Sequence, residues 1–412
     1  MRNHSLLVMS AIAVTGALTL TACGSRGTSS SGSTASGSAA AANISITIGV
    51  DAPLTGSLSA LGQGIKNSVQ LAVDTANKTH EVPGVTFKTE PLDDQAQPSS
   101  GQQNAAKLVA DPNVLGVVGP LNSGVAQSMQ KVFDEADLVE VSPANTNPAL
   151  TQGPNWATGT KVRPFKSYFR TATTDAIQGP FAAQYAYSTA GLKKVYLVDD
   201  QLTYGVGLVA TFKGEFTKLG GTVVGQDHVT DGTKDFSALV AKIKASGATM
   251  VYYGGQYPEA GPLSGQLKAA GVKIPLMGGD GIYDPAYITA GNEKVNGDFA
   301  TSVGAPVETL DSAKTFIADY KAAGFSQPYA AYGGYSYDSA WAIIEAIKAA
   351  IGTSGKAPTR QAVETAMSSV NFQGVTGTVS FDQYGDATNK QLTVYEVEKN
   401  AWVAVKSGTF TG

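Results

Sequence analysis

Apolar residues recur along this chain with two different periods, and the two periods alternate. Residues 44–50 place β-branched side chains at every second position, which predicts a strand, whereas Ile65, Val69 and Ala76 fall on one face of a helix. Similar pairs of a short strand and a longer helix follow in two series, one before and one after about residue 170. Strands that alternate with helices in this way form parallel sheets covered on both faces. The pattern therefore predicts an α/β fold with two doubly wound, parallel-sheet lobes.

The last part of the chain has a different pattern. Helical periodicity is found at residues 335–351 and 359–368. Alternating segments separated by polar turns predict antiparallel strands at residues 375–381, 392–397 and 402–405. We expect these elements to complete the two lobes.

Three chain crossings are expected to join the lobes in a hinge, near residues 170–175, 303 and 375. The first lobe is predicted to comprise residues 44–174 and 304–376, and the second lobe residues 175–303 and 377–412. Ligands of such sheets bind beyond the carboxyl ends of the strands. The cleft between the lobes is therefore the predicted binding site, and several crossings favour its closure by hinge motion.

The N-terminal segment belongs to a different category. Residues 1–22 contain an uncharged apolar run that is too short to span a bilayer but has the length of a signal-peptide core. The run ends in Leu-Thr-Ala-Cys, and this cysteine, Cys23, is the only one in the chain. The tetrapeptide resembles a bacterial lipobox, which implies cleavage before Cys23 and its acylation; the alternative is an ordinary signal peptide with a chance cysteine. Residues 23–43 then form the lipidated cysteine and a flexible Gly/Ser linker.

Charge and residue usage exclude several function classes. The chain has 29 basic and 33 acidic residues, a net charge of −4, and no basic run, which argues against a nucleic-acid partner. Only three histidines are present, and no zinc-protease, serine-hydrolase or phosphate-loop motif occurs, which argues against an enzyme. Residues 205–210 fit a relaxed dinucleotide-binding pattern but do not follow a strand directly. The acidic pairs at 93–94 and 199–200 suggest either metal binding or ordinary capping at strand ends.

A series of fragments carries a family resemblance through its order and spacing. The fragments are Pro53–Gly56 with Gly62, Leu71–Asn77, Asp93–Asp94, Val117–Gly119 with Ser123, Ser142–Pro148, Phe169–Thr171 with Gln178–Gly179, Tyr204–Gly205, Asp235–Phe236, Val251–Gly255 and Met277–Gly281. Together they resemble the type I periplasmic binding proteins of branched-chain amino acid ABC transporters. The resemblance implies a monomeric, extracytoplasmic binding protein without cofactor or metal. It would bind an amino acid and deliver it to the permease subunits of an ABC transporter, held at the membrane by the lipid on Cys23.

The same resemblance indicates which residues bind the carboxylate and the ammonium group of the ligand. It implies that Ser123 and Thr146 bind the carboxylate and that the carbonyl of Ala144 accepts from the ammonium. Ser123 follows a predicted strand and opens a helix, so its hydroxyl and the free N–H groups there are suited to an anion. The alternative is that Ser123 is an ordinary helix N-cap, which is compatible with ligand binding.

Three further residues are expected to close on the ligand. The family generally has an acidic residue at the position of Asp280, where it pairs with the ammonium; the alternative is a glycine-flanked turn residue. Tyr204 matches a tyrosine of the second lobe, and Tyr332 matches an aromatic residue from the segment that returns to the first lobe. The alternative for both is a buried core tyrosine.

Two departures from the family pattern concern the side-chain pocket. Leu61 and Gln256 stand where the branched-chain prototype has tyrosines. The ligand is therefore expected to be an amino acid, branched-chain or related, but leucine, isoleucine and valine are not assumed. Two function classes stay open: a transport receptor, and a sensory or regulatory binding module of the same fold.

Overall fold

The computed structural model describes residues 44–410. The predicted signal peptide, the lipidation site Cys23 and the linker to residue 43 lie outside the described residues, so these stay predictions. Within the described range, no helix is both long enough and apolar enough to cross a membrane.

The first sheet is built from the N-terminal part of the described chain. Its strands are β1 (Ile44–Ala52), β2 (Val85–Asp93), β3 (Val114–Val118), β4 (Val139–Ser142) and β5 (Tyr168–Arg170). The intervening helices are α1 (Ser59–Thr79), α2 (Pro98–Ala110), α3 (Ser123–Asp134) and α4 (Ala149–Gln152). All five strands are parallel, in the order β2-β1-β3-β4-β5. Strand β3 is buried throughout, as expected for a parallel sheet covered on both faces.

The second sheet follows the same alternation. Its helices are α5 (Asp175–Gln184), α6 (Thr203–Lys218), α7 (Ser237–Ser246), α8 (Tyr257–Ala269) and α9 (Pro285–Ala290). Its strands from this part of the chain are β6 (Lys194–Asp199), β7 (Thr222–His228), β8 (Met250–Gly254), β9 (Leu276–Gly278) and β10 (Phe299–Val303). These five strands pair in parallel.

The C-terminal part of the chain packs on the first sheet and adds two strands to the second. Its elements are α10 (Lys314–Ala323), α11 (Gly333–Ile351), α12 (Arg360–Met367), β11 (Asn371–Gly374), β12 (Gly377–Ser380), β13 (Gln391–Glu398) and β14 (Ala401–Thr409). Helix α11 packs on α1, β3 and β4 of the first sheet. Strand β13 pairs antiparallel with β10, which gives the second sheet the order β14-β13-β10-β9-β8-β6-β7. The chain therefore passes between the two sheets three times.

The packing of α1 shows why the lobes depend on distant segments. Ile65, Val69 and Val73 lie on its inner face and are at most 1% exposed. Burying one such side chain is worth roughly 1.5–3 kcal/mol relative to leaving it in water. Much of the cover over this face comes from α11, whose Ile343 and Ile347 are also fully buried.

The sequence-based predictions missed several short elements. Helices α4, α9 and α10 and strands β5, β10 and β11 were not predicted. The strand expected at 375–381 is the shorter β12, which pairs with β11 in a hairpin. The helix expected at 175–190 ends as a π-helical turn at Tyr185–Thr189. The predicted antiparallel strands near 392–397 and 402–405 are confirmed as β13 and part of β14.

Candidate functional site

Most of the predicted site residues follow the carboxyl ends of parallel strands. Ser123 opens α3 after β3, and Ala144 and Thr146 lie in the loop after β4. In the second lobe, Tyr204 lies in the first turn of α6 after β6. Gln256 directly precedes α8 after β8, and Asp280 comes two residues after β9. Because these strand ends converge in parallel sheets, the fold brings distant sequence segments to one region.

Asp280 is the centre of a buried hydrogen-bond network. The residue is 1% exposed. Its Oδ1 accepts from the Tyr204 hydroxyl at 2.8 Å and from Gln178 Nε2 at 2.9 Å, and its Oδ2 accepts from the Tyr332 hydroxyl at 2.8 Å. Tyr332 immediately precedes α11, which packs on the first sheet, so this network connects the two lobes. The predicted grouping of Asp280 with the two tyrosines is present in the structure.

A second carboxyl group belongs to the same network and was not predicted as a site residue. Asp175 is fully buried at the start of α5 and accepts from Thr146 Oγ1 at 3.0 Å. Gln178 Nε2 also donates to Asp175 Oδ1 at 2.9 Å, so one amide contacts both carboxyl groups. In the sequence, Asp175 was identified only as the first residue of the helix predicted at 175–190.

Burial determines the ionisation of this network. Burial, and then the charge of Asp280, raise the pKa of Asp175 to about 7. Burial also raises the pKa of Asp280, although the hydroxyls of Tyr332 and Tyr204 act against it. The pKa values of both tyrosines are raised by burial and by the Asp280 charge, so the hydroxyls stay protonated and donate. Among the described residues, no lysine or arginine is bonded to either carboxyl group, so the network is suited to receive a cation.

The start of α3 has free hydrogen-bonding capacity. The N-cap residue is Asn122, not Ser123, and its side chain makes no capping bond. Ser123 is 1% exposed, and its Oγ has no hydrogen-bond partner among the described residues. The N-cap alternative for Ser123 is therefore wrong. A buried hydroxyl without a partner, beside the N–H groups of a helix start, is suited to an anionic oxygen.

Arg170 fixes the loop after β4 that carries Thr146. Its fully buried guanidinium donates through one nitrogen to the carbonyl oxygens of Asn145 at 3.0 Å and Asn147 at 2.9 Å. Its Nε donates at 2.6 Å to Asp386, from the segment between β12 and β13. Paired and bonded in this way, the buried charge is compensated, and the loop is held on both sides of Thr146. In the sequence, this arginine was identified only as part of the fragment Phe169–Thr171, and no role was predicted for it.

The two predicted pocket residues differ in what surrounds them. Gln256 Oε1 is buried and has no hydrogen-bond partner among the described residues, and a Cβ built on Gly281 would lie 2.8 Å from it. Gln256 therefore reaches the residue next to Asp280. Leu61 is 1% exposed within α1 and belongs to the main hydrophobic cluster. Packing in this cluster explains its burial, and its predicted role in the ligand pocket stays a prediction.

Direct contacts also join the lobes at the rim of the site. Asn147 Nδ2 donates to the carbonyl of Thr203 at 2.7 Å, and Thr203 Oγ1 donates to Gln127 Oε1 at 3.0 Å. On another side, the hydroxyl of Tyr257 donates to the carbonyl of Ser57 at 2.5 Å. The described arrangement is therefore a closed one, with the Asp280 network shielded from solvent.

The other motifs considered from the sequence have structural explanations. Gly205 lies inside α6, and a Cβ there would be 2.3 Å from the carbonyl oxygen of Gly254, so helix–strand packing explains this glycine. Asp93, Asp199 and Asp200 each accept from nearby backbone N–H groups. Within residues 44–410, no three or more His, Cys, Asp or Glu side chains are grouped so that they could hold a metal ion.

Two parallel-sheet lobes with a buried polar site between them define a solute-binding protein. The sequence matches the family described as "Periplasmic binding protein" over residues 45–401, and the chain belongs to this family. It is accordingly a binding protein rather than an enzyme, and family membership implies a location outside the cytoplasm.

Named relatives agree with this assignment. The Leu/Ile/Val-binding protein BraC3 of Rhizobium johnstonii is 34% identical over 366 residues, covering 89% of this chain and 95% of that protein. An amino acid binding protein of Pseudomonas aeruginosa is 32% identical over 352 residues, covering 85% and 90%. The solved leucine binding protein LivK of Thermotoga maritima is 27% identical with a TM-score of 0.78, covering 88% of this chain and 98% of that one.

Proposed function

We propose that this protein binds an α-amino acid in the cleft between its lobes and delivers it to the permease of an ABC uptake system. The observation that carries the proposal is the buried pair of Asp175 and Asp280, which share the Gln178 amide. Two carboxyl groups without a bonded basic side chain in the described part of the chain favour a cationic ligand group. The relatives named above, which bind leucine, isoleucine, valine or other amino acids, support the same ligand class.

The ligand would lie with its two charged groups in opposite directions. Its ammonium would face Asp280 and Asp175, with the Ala144 carbonyl as a further acceptor. Its carboxylate would meet the hydroxyl of Ser123, the N–H groups at the start of α3 and the hydroxyl of Thr146, which would turn from Asp175 to donate to the ligand. Each charge would then be desolvated against an oriented partner, which is the condition for burying an ion at acceptable cost.

The ligand side chain would extend toward Gln256 and Leu61. Gln256 Oε1 has no partner among the described residues, so a ligand that donates a hydrogen bond there would satisfy it. An aliphatic side chain would leave this oxygen unsatisfied. The proposal therefore covers branched-chain amino acids and related ones with a polar group. Gln256 is the residue that would determine the specificity between them.

The proposed cellular arrangement follows from the N-terminal sequence. Cleavage before Cys23 and its acylation would anchor a monomer to the outer side of the cell membrane through the linker to residue 43. Cys23→Ser should then move the protein from the membrane fraction to the soluble fraction. Unchanged membrane association would reject the lipid anchor while leaving the binding site untouched.

The proposed lobes comprise residues 44–174 with 304–376, and 175–303 with 377–412, although residues 377–386 contact the first lobe through β11 and Arg170. Three crossings between the sheets support a hinge between them. Small-angle scattering should show a smaller radius of gyration with ligand than without it. The same profile in both states would contradict closure on ligand binding.

The ligand class is tested by a matched panel. The soluble domain, from residue 44, should gain thermal stability with a subset of α-amino acids, because a ligand that binds only the folded state raises the melting temperature. The corresponding α-keto acids, which lack the amine, and alkyl amines, which lack the carboxylate, should produce little shift. Equal shifts with an amino acid and its keto acid would contradict the proposal.

A further inference from the structure

A second cavity lies beside the candidate site, between the lobes. Its volume is about 640 Å³, within the range of small-molecule sites. Ala60 and Tyr329 line it from the first-lobe side, and Tyr283 and Trp402 from the second-lobe side. None of the eight ligand-binding residues predicted from the sequence lines this cavity, nor do Asp175 and Gln178. Its lining therefore differs from the residues of the site around Asp280, although Ala60 and Ala331 adjoin Leu61 and Tyr332 in the chain.

Aromatic rings dominate one wall of the cavity. The rings of Tyr283 and Tyr395 are stacked with centroids 4.0 Å apart, and the Trp402 ring lies 5.9 Å from Tyr283. Tyr329 and Tyr335 also line the cavity. Rings of this kind provide a large apolar surface, and their faces attract cations.

The charges around the cavity have a single sign. Asp284, Glu293 and Glu308 line it, and none of the described residues that line it is a lysine or an arginine. Asp284 is 5% exposed, and one of its oxygens accepts from the N–H of Ala286, while Glu308 accepts from the Tyr329 hydroxyl at 2.5 Å. Carboxylates around an apolar cavity create a negative potential that repels anions and attracts cations.

We propose that this cavity is a second ligand site, which binds a small organic cation with an aromatic or apolar body. The aromatic wall binds the body of the ligand, and the three carboxylates select its charge. A ligand that carries a carboxylate, including an amino acid, is disfavoured there. The site does not depend on the amino acid proposal, because no residue of the Asp280 network contributes to it.

Occupancy of the cavity is expected to be coupled to closure. Its walls come from both lobes and from the crossing near Val303 and Val307, so separation of the lobes would pull the walls apart. A ligand that contacts both lobes therefore favours the closed state. By linkage, a ligand that favours closure at either site strengthens binding at the other.

The test uses benzyltrimethylammonium as the cation, with phenylacetate as an anion of similar size. Titration calorimetry of the soluble domain should show saturable binding of benzyltrimethylammonium and at least tenfold weaker binding of phenylacetate. Ala401→Arg, which adds a positive charge at a residue that lines the cavity, should weaken benzyltrimethylammonium binding at least tenfold. Val403→Arg, at an exposed position of the same strand outside the cavity, should leave it unchanged.

A second variant separates this site from the candidate amino acid site. Asp280→Asn should weaken benzyltrimethylammonium binding far less than Ala401→Arg does, because Asp280 does not line the cavity and acts on it only through closure of the lobes. Binding that is lost in Asp280→Asn but survives in Ala401→Arg would place the cation in the amino acid site and overturn the proposal. No saturable binding, or equal affinity for phenylacetate, would overturn it as well. None of these outcomes decides whether the protein binds amino acids.

Discussion

The ionisation of Asp175 should control how tightly the amino acid binds. This carboxyl group is fully buried, and burial and the neighbouring Asp280 raise its pKa to about 7. An ammonium group bound beside it favours the ionised form, so binding below that pH must release a proton. The affinity should therefore rise with pH and level off above about pH 7.

The expected size follows from the pKa. At about pH 5.5, a carboxyl group with a pKa of about 7 is ionised in roughly one molecule in thirty. The amino acid should then bind up to about thirtyfold more weakly than at about pH 8. Titration calorimetry in two buffers with different ionisation enthalpies should also detect the released proton. Asp175→Asn should remove most of this pH dependence, whereas Asp235→Asn, at an exposed carboxylate of the second lobe, should keep it.

Asp175 should make the unliganded protein less stable as the pH rises, whereas the affinity for the amino acid increases with pH. Because the folded-state pKa of Asp175 is raised, its contribution to stability is fully present below the unfolded-state pKa and is lost as the pH rises through about 7. The melting temperature of Asp175→Asn, measured relative to that of the parent protein, should therefore be higher at about pH 8 than at about pH 5. Equal affinities at about pH 5.5 and pH 8, without proton release, would refute the placement of a cation beside Asp175.

Three further predictions concern other buried polar groups. Ser123→Ala should weaken amino acid binding about tenfold in calorimetry without lowering the melting temperature, because its Oγ bonds to no described residue; an unchanged affinity would remove Ser123 from the site. Gln256→Leu should shift preference toward aliphatic amino acids in a competition panel, and an unchanged order would contradict its role in the pocket. Asp51→Asn should raise the melting temperature at about pH 8 but not at about pH 4.5. Burial and the nearby charge of Asp94 raise the pKa of Asp51, so stability is lost as that group ionises. An equal effect of the variant at both pH values would contradict this reasoning.

The fold was largely predictable because its strands and helices are strongly periodic. Strand β3 is a continuous apolar run, and α1 has an unbroken buried face, so both were found from the sequence. Strand β10 contains Thr301 and Ser302, and its burial depends on pairing with β9 and β13, which are distant in sequence. Helix α9 has only six residues, too short for helical periodicity to identify.

The site was predictable only where a resemblance supplied the positions. Asp280 follows a glycine pair, and turn chemistry alone explains such an aspartate equally well. Its partnership with Tyr204 and Tyr332 arises from folding, because the three residues come from separate segments. Asp175 and Gln178 were missed as site residues for the same reason: nothing in the sequence near residue 175 indicates that this helix start is fully buried against a second carboxyl group.

The central claim is that a buried carboxylate pair recognises the ligand amine. The most direct test is a calorimetric cycle with the parent protein and Asp280→Asn, each titrated with the identified amino acid and with the α-hydroxy acid that replaces its amine. Losing a buried charge-assisted contact costs roughly 2–5 kcal/mol, which is at least about thirtyfold in affinity. We predict that Asp280→Asn loses this much affinity for the amino acid and little for the hydroxy acid. The same loss for both ligands, or none for either, would contradict recognition of the amine by Asp280.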